Sequence, residues 1–311
     1  MGHDRQTSDD PPRITVVIPH LNQVDELRRC LESVRTQSLD SGAAEIIVVD
    51  NGSHVDLASL AESYPDIRFL VEPRPGPGLA RNLGAAAARS RLLAFVDADC
   101  IVADNWLQAA VDVLDRSPKR GLVGGDIRIP LQHPPGASPI EAYESVFSFR
   151  QKLYIETKQF SVTANLAMVR GVYDLVGPFR GIDVAEDRDW GRRASALRVA
   201  VSYEPKMIVY HPARPDFPSL TRKWSRLISH DFTEWSAAAR PLWRWYVRAL
   251  LMLGSTVLHA GRMFTSDRVS GMGSRFSGLV VLARLRIFRF CEMIRVARSP
   301  GSGAVAWNRN S

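Results

Sequence analysis

The chain has 311 residues, of which 45% are hydrophobic and 23% charged. That balance excludes a disordered or collagen-like chain and leaves apolar surface for one large domain or two smaller ones. Cys30, Cys100 and Cys291 lie far apart, without a paired His at ligand spacing, so a disulfide-stapled or zinc-ribbon fold is excluded and free thiols in the cytoplasm are expected.

Residues 1–12 are polar and read as a disordered lead-in, not a signal peptide. No stretch approaches the roughly 18 consecutive apolar residues of a spanning helix. The net charge of +7 is unevenly placed. From Arg240 onward, twelve arginines face only Asp267 and Glu292, so that tail carries +10 and the rest of the chain −3. A mildly acidic body with a basic, Trp- and Leu-rich tail points to an anionic surface as partner for the tail.

In chain order, Ile14 to Ile18 is a short apolar run stopped by Pro19, and Val24, Leu27, Cys30, Leu31 and Val34 recur at helical spacing. Strands are expected over 45–49, 67–71, 92–96 and from 122, with helices over 56–63, 79–89 and 105–114. Buried strands alternating with helices predict an α/β fold, a doubly wound and mainly parallel sheet. After Pro130 comes a Pro- and Gly-rich loop over 132–139. A helix over 140–154, an extended stretch over 163–169, a helix over 186–197 and two short strands over 199–203 and 207–210 follow. Pro212 to Pro218 breaks regular structure, so the main body is drawn as 13–217, in halves 13–125 and 126–217, with a helical tail over 218–311.

In open α/β sheets, ligands bind beyond the carboxyl ends of the strands. There the sequence places Pro19-His20-Leu21-Asn22, Asp50-Asn51-Gly52-Ser53 and Asp97-Ala98-Asp99. Two residues apart in extended chain, Asp97 and Asp99 project to one side. Such a pair repels itself unless a hard cation such as Mg²⁺ or Mn²⁺ sits between, or else it caps the helix near Asn105. Gly76 to Gly84, with Arg81 and Asn82 in the first helical turn, either holds a diphosphate or forms an ordinary helix start. Glu186-Asp187-Arg188-Asp189-Trp190 offers a general base beside an aromatic, though acids in a first turn also answer the helix dipole. His211 closes a late strand; a lone His is commonly structural.

Taken in order, Val17 to Asn22, Val48 to Ser53, Gly78 to Asn82, Phe95 to Asp99 and Glu186-Asp187 resemble the family 2 glycosyltransferases, inverting enzymes of the GT-A fold. The resemblance covers roughly residues 13–215. It implies that Pro19, Asn22, Asp50, Gly52, Arg81, Asn82 and Asp97 bind a nucleotide-sugar, UDP-linked in the typical case. It implies that Asp99 and His211 hold Mg²⁺ or Mn²⁺, that Asp187 is the catalytic base, and that Asn165, Glu186 and Trp190 face sugar or acceptor. The Gln-x-x-Arg-Trp signature of processive synthases is absent, which favours one sugar added per encounter. The competing readings are a sugar-phosphate nucleotidyltransferase, which would carry a Gly-rich basic signature where His20-Leu21-Asn22-Gln23 stands, and a silent nucleotide-sugar-binding scaffold, which would have lost Asp99 or Asp187.

On a helical wheel from Leu242 to Arg262, Arg244, Arg248, Ser255, His259 and Arg262 share a narrow stripe, with Trp243, Tyr246, Val247, Leu250 and Leu253 over much of the rest. That pattern fits a helix lying on an anionic membrane surface, on the inner face of the plasma membrane. The other reading is a helical pair packed on the catalytic domain. The Leu, Val and Phe content argues against nucleic acid as the partner.

Overall fold

A computed structural model describes residues 11–299 apart from 40–42, 117–120, 133, 135 and 183. The lead-in therefore lies almost wholly outside the described residues. The elements run β1 (Ile14–His20), α1 (Val24–Arg35), β2 (Ala44–Asp50), α2 (Ala58–Ser63), β3 (Arg68–Val71), α3 (Pro77–Ala87), β4 (Leu92–Phe95), β5 (Ile101–Val102) and α4 (Trp106–Arg116). Then come β6 (Leu122–Arg128), α5 (Pro139–Phe147), α6 (Gln151–Lys158), a 3-10 turn (Thr163–Asn165), β7 (Leu166–Val169), α7 (Arg170–Val176), α8 (Glu186–Ala196) and β8 (Ser202–Tyr210). Three long helices close the chain: α9 (Phe217–Ala237), α10 (Leu242–Thr265) and α11 (Met272–Arg298).

The strands form one sheet in the order β3-β2-β1-β4-β7-β6-β8-β5. The first four are mutually parallel, and β7 runs antiparallel between β4 and β6. Strand β1 alternates its contacts: Val16 and Ile18 face a core with α1 and α4, while Val17 faces a second core with α3, α7 and α8. A strand covered on both faces must be apolar throughout, as β1 is. The two short strands expected near 200–210 are one strand, β8, in which the pairing with β6 skips from Glu204 to Ile208. Pro205 falls in that skip, where its missing N–H leaves no ladder bond broken.

Two other expectations change. The helix expected over 140–154 breaks after α5, and the break turns Phe149 against the His211 ring, 4.7 Å away. The Pro-rich stretch after His211 ends in a helix start: Asp216 caps α9 by accepting from Ser219 N at 2.7 Å, and Pro218 sits in the first turn, where no N–H is needed. Helix α9 then joins the catalytic body. Arg188 of α8 bridges Asp231 at 2.7 Å and Glu234 at 2.8 Å.

The tail packs on the body. Tyr143 and Phe147 of α5 share a buried cluster with Leu220, Met263, Val281, Leu282 and Leu285. Arg268, between α10 and α11, reaches the buried Asp126 at 2.5 Å. Of the expected basic stripe, Arg248 turns to Asp231 at 3.1 Å and His259 to the Phe147 ring, whereas Trp243, Val247, Leu250, Leu251, Val257 and Leu258 face outward. The helical-pair reading thus describes the inner face, and the outer face stays apolar.

Candidate active site

The ends of β1 and β2 are tied together. His20 is buried, accepts from Gln23 N at Nε2 over 3.0 Å, and so presents Nδ1–H to Asp50 Oδ1 at 3.4 Å. Ser53 also donates to Asp50, through its N–H and its hydroxyl. Burial works to raise the Asp50 pKa, and the hydrogen bonds from His20 and Ser53 outweigh it, holding the carboxyl below its ordinary value. Asn22, in the left-handed region, accepts from His54 N at 2.8 Å, and Gly52 turns the chain at φ 84°. Pro19, Asn22, Asp50 and Gly52 thus stand together at one strand-end rim. Asn51 braces the neighbouring turn, donating to the carbonyls of Glu72 and Arg74 and accepting from Gly76 N.

From that turn α3 sends Arg81 inward. A Cβ on Gly78 would lie 2.4 Å from the Arg180 carbonyl, so only glycine lets the helix start so close to the loop before α8. Buried Arg81 donates to Asp97 Oδ1 at 2.6 Å and to Glu186 Oε1 at 3.3 Å. Burial opposes its charge, but Asp97, Asp187 and Glu186 outweigh burial and raise the pKa. The first turn of α8 is therefore clamped to the end of β4. Asp187 accepts from Thr163 Oγ1 at 2.6 Å, and its pKa is pushed up to about 7, first by burial and then by the Glu186 charge, against Arg81 and the Thr163 bond. A carboxylate that titrates near neutrality is suited to general-base work.

Asp99 lies beyond Asp97, with Ala98 buried between them. His211 Nε2 stands 3.7 Å from Asp99 Oδ2, while His211 Nδ1 lies 2.8 Å from the Pro212 carbonyl. A ring that donates from Nδ1 keeps its Nε2 lone pair for a cation. Cys100 Sγ is also near. Burial, then the charges of Asp99 and Asp97, raise that thiol well above its ordinary pKa. Asp99 and His211 together offer oxygen and nitrogen donors of the kind that would hold a divalent ion.

Three expected ligands are placed elsewhere. Asn82 has its amide committed to Phe179 O, Phe179 N and the Tyr173 hydroxyl. Asn165 is fully buried, accepting from Trp106 Nε1 and donating to the Asp126 and Met207 carbonyls, which makes it a clamp across β6, β7 and β8. Trp190 is buried against Phe179 and donates to the Gly177 carbonyl, so it is core and not a sugar platform. Each has side-chain chemistry that suits a ligand or an interior bond equally; burial decides for Asn165 and Trp190, and for the half-buried Asn82 its three hydrogen bonds do. Thr163 is the residue sequence reasoning did not single out: its stretch was expected at the site, but no periodicity marks the one hydroxyl that meets Asp187.

A model of glycosyl transferase family 2 matches residues 15–176. Glycosyltransferase AglE of Haloferax volcanii is 29% identical over 248 residues, covering 78% of this chain and 80% of that protein. The pre-mycofactocin glycosyltransferase of Mycobacterium tuberculosis is 29% identical over 226 residues; the match takes in 69% of this chain and 46% of that protein, so under half of its length. Among solved structures, the mannosyltransferase PcManGT of Pyrobaculum calidifontis, in complex with GDP-Man and Mn²⁺, superposes with a TM-score of 0.61 at 17% identity, over 94% of this chain and 88% of that one. TarS of S. aureus in complex with UDP-GlcNAc gives 0.51 at 15% identity, over 90% and 73%. These two likenesses establish the GT-A fold.

Proposed function

The chain belongs to glycosyl transferase family 2, and from that premise we propose an inverting transferase that moves a sugar from a UDP-linked donor to a hydroxyl of a glycan or lipid-linked acceptor in cell-surface polysaccharide or glycolipid synthesis. The observation that carries the proposal is the clamp of Arg81 on Asp97 and Glu186, which fixes Asp187 beside the strand ends. Asp50, with Pro19, Asn22 and Gly52 around it, receives the base. Thr163 holds Asp187 through Oδ1, and Oδ2 takes the proton of the acceptor hydroxyl as that oxygen attacks the anomeric carbon in line. Inversion follows from a single displacement. Asp99 and His211 would hold Mg²⁺ or Mn²⁺, which when bound offsets charge on the departing diphosphate.

The outer face of α10 and α11 is assigned to an anionic membrane surface. Among the described residues no helix is long and apolar enough to cross a membrane. Leu250, Leu251, Val257 and Leu258 lie outward on α10, and Phe276, Val280 and Ile287 on α11. The Phe264 and Phe276 rings, 5.4 Å apart, join the two stripes. Arg240, Arg244, Arg262, Arg284 and Arg298 are exposed on the same two helices and the turn before them, with Asp267 the exposed acid among the described residues after 237. A second copy laid face to face would oppose arginine to arginine, whereas anionic lipid answers both features.

Donor hydrolysis with Mn²⁺ across a panel of nucleotide sugars tests the reading. Release of nucleotide from a UDP-sugar, absent in EDTA, is expected. No hydrolysis of any nucleotide sugar, together with no nucleotide binding, would overturn it.

A further inference from the structure

Helix α8 carries Asp187 in its first turn, and Ala185 at its cap has no polar side-chain atom with which to fix that turn. Ion pairs grip it instead, from opposite sides. Glu186 accepts from Arg81 of α3 at 3.3 Å, and Arg81 is itself fixed on Asp97 at 2.6 Å. Arg188 donates from Nη1 to Asp231 Oδ1 at 2.7 Å and from Nη2 to Glu234 Oε1 at 2.8 Å, both on α9. At 3.6 residues per turn, side chains two positions apart on a helix point about 200° apart. Glu186 and Arg188 are therefore drawn to opposite sides of the α8 axis. Asp187 projects between them, to the Thr163 hydroxyl at 2.6 Å. A rotation of α8 that carried the carboxylate away would have to break one grip or the other.

The α9 grip is determined from behind. Asp231 and Glu234 are three residues apart and so share a face of α9. Each has a second arginine: Arg248 of α10 reaches Asp231 Oδ2 at 3.1 Å, and Arg192 of α8 reaches Glu234 Oε2 at 2.9 Å. Ile228 and Phe232 of α9 are buried with Trp245 of α10, the Phe232 and Trp245 rings 5.0 Å apart. An apolar core thus sets where α9 lies, and the acids of α9 meet α8 from that fixed position. The Arg188 and Asp231 side chains are only 25% and 24% exposed, so this pair escapes much of the screening that makes surface pairs weak.

We infer that Asp231 is a positioning residue for the transferase base: through Arg188 it fixes the rotation of α8 and so the direction of the Asp187 carboxylate. The inference rests on the reading of Asp187 as that base. It draws α9, the first helix of the tail, into the working of the site. Glu234 supports the same guanidinium, whereas Arg248 ties Asp231 only to α10.

The test is hydrolysis of UDP-sugars by the full chain in Mn²⁺, with water as the acceptor whose proton Asp187 takes. Asp231→Asn should lower kcat about tenfold, as a small misplacement of a reacting group does, and leave the donor KM unchanged. Asp231→Glu, which keeps the charge, should restore most of that loss. Arg188→Gln should lower kcat as far as Asp231→Asn does, and the double variant no further, because each change breaks the same link. Arg248→Gln leaves that link in place and should keep the wild-type kcat. Hydrogen exchange reads the grip without turnover. The Asp189 amide, which closes the first turn on the Ala185 carbonyl at 2.9 Å, should exchange faster in Asp231→Asn while β1 and β4 stay protected. If Asp231→Asn fails to fold, Arg188→Gln and Asp231→Glu decide. A lower melting temperature with kcat intact, or losses that add in the double variant, would make the pair a packing contact and overturn the inference. Should Asp187→Asn abolish hydrolysis while Asp231→Asn retains it, the positioning role alone falls. Hydrolysis undiminished in Asp187→Asn would sink the reading of Asp187 as base, and the positioning role with it.

Discussion

At the strand ends, buried charges are matched. Arg81 lies between Asp97 and Glu186, and Asp50 sits under His20 and Ser53. In α10 and α11, Arg286 donates to Met252 Sδ, Arg289 stacks on the Trp224 ring, and a row of leucines and valines lies in water. Both regions fold on apolar cores, so the contrast is not between ordered and disordered chain. It lies in what each region leaves unanswered. The strand ends leave a small set open, the Asp187 carboxylate and the Asp99–His211 pair, as a site for a small polar donor would. The helices leave apolar area and positive charge open, as a surface for a large amphipathic partner would.

The largest expected effect strikes the first region. Asp187→Asn should lower transfer by about 10²–10⁴-fold, the usual worth of a general base, because the amide cannot accept the acceptor's proton. Nucleotide affinity, read by calorimetry, should hold. If both fall together, Asp187 belongs to the donor site. In wild type, turnover should climb as pH rises through about 7, where the raised Asp187 pKa releases its proton, and level off above. A rate flat from pH 5 to 8 would remove Asp187 from the chemistry.

Next in size, Asp99→Ala should cut metal-dependent transfer about 100-fold or more, since stabilising a leaving diphosphate is worth several kcal/mol. The fold should survive, because the change removes one of two neighbouring carboxylates. Equal wild-type activity in EDTA would dissolve the metal assignment and leave His211 a packing residue against Phe149.

A smaller effect tests the helices. Leu251 and Leu258 are 69% and 81% exposed, so Glu at either touches little of the packing. Each should weaken sedimentation of the full chain with anionic vesicles about tenfold, near the worth of burying one leucine side chain. Added salt should weaken wild-type binding without abolishing it, because the apolar part is not screened. Vesicle binding unchanged in both variants would mean that the outer stripe is not the contact.

The same contrast marks what the sequence could disclose. Alternation of apolar runs marked β1, β2 and β4, and short motifs placed Asp50, Asp97, Asp99 and Asp187 at strand and helix ends, because those positions follow from local pattern. Asn82, Asn165 and Trp190 misled because an amide or indole reads alike whether it faces a ligand or a buried carbonyl. The helical tail was expected from 218, but the start of α9 was obscured by Pro218, which breaks a helix interior and suits a helix start.

The smallest effect asks whether the strand-end site itself carries a strain that the matched charges around it conceal. Asp187 has a pKa raised in the folded chain, from 3.8 to about 7. Between those values the folded chain keeps a proton that the unfolded chain has released, so folding is progressively disfavoured as pH rises through the window, and the loss levels off above about 7. Asp187→Asn has no such proton. The variant should therefore melt higher than wild type at pH 8, and the gap should close as pH falls toward 4. Thr163 donates to the carboxylate and part of the side chain meets solvent, so only a fraction of the nominal shift should appear. A domain of this size moves roughly 2–4 °C per kcal/mol, which puts the gap at a few degrees. A variant that melts lower than wild type at pH 8 would mean that Arg81 and Thr163 need the negative charge more than burial resists it, and Asp187 would then join the matched charges of its region.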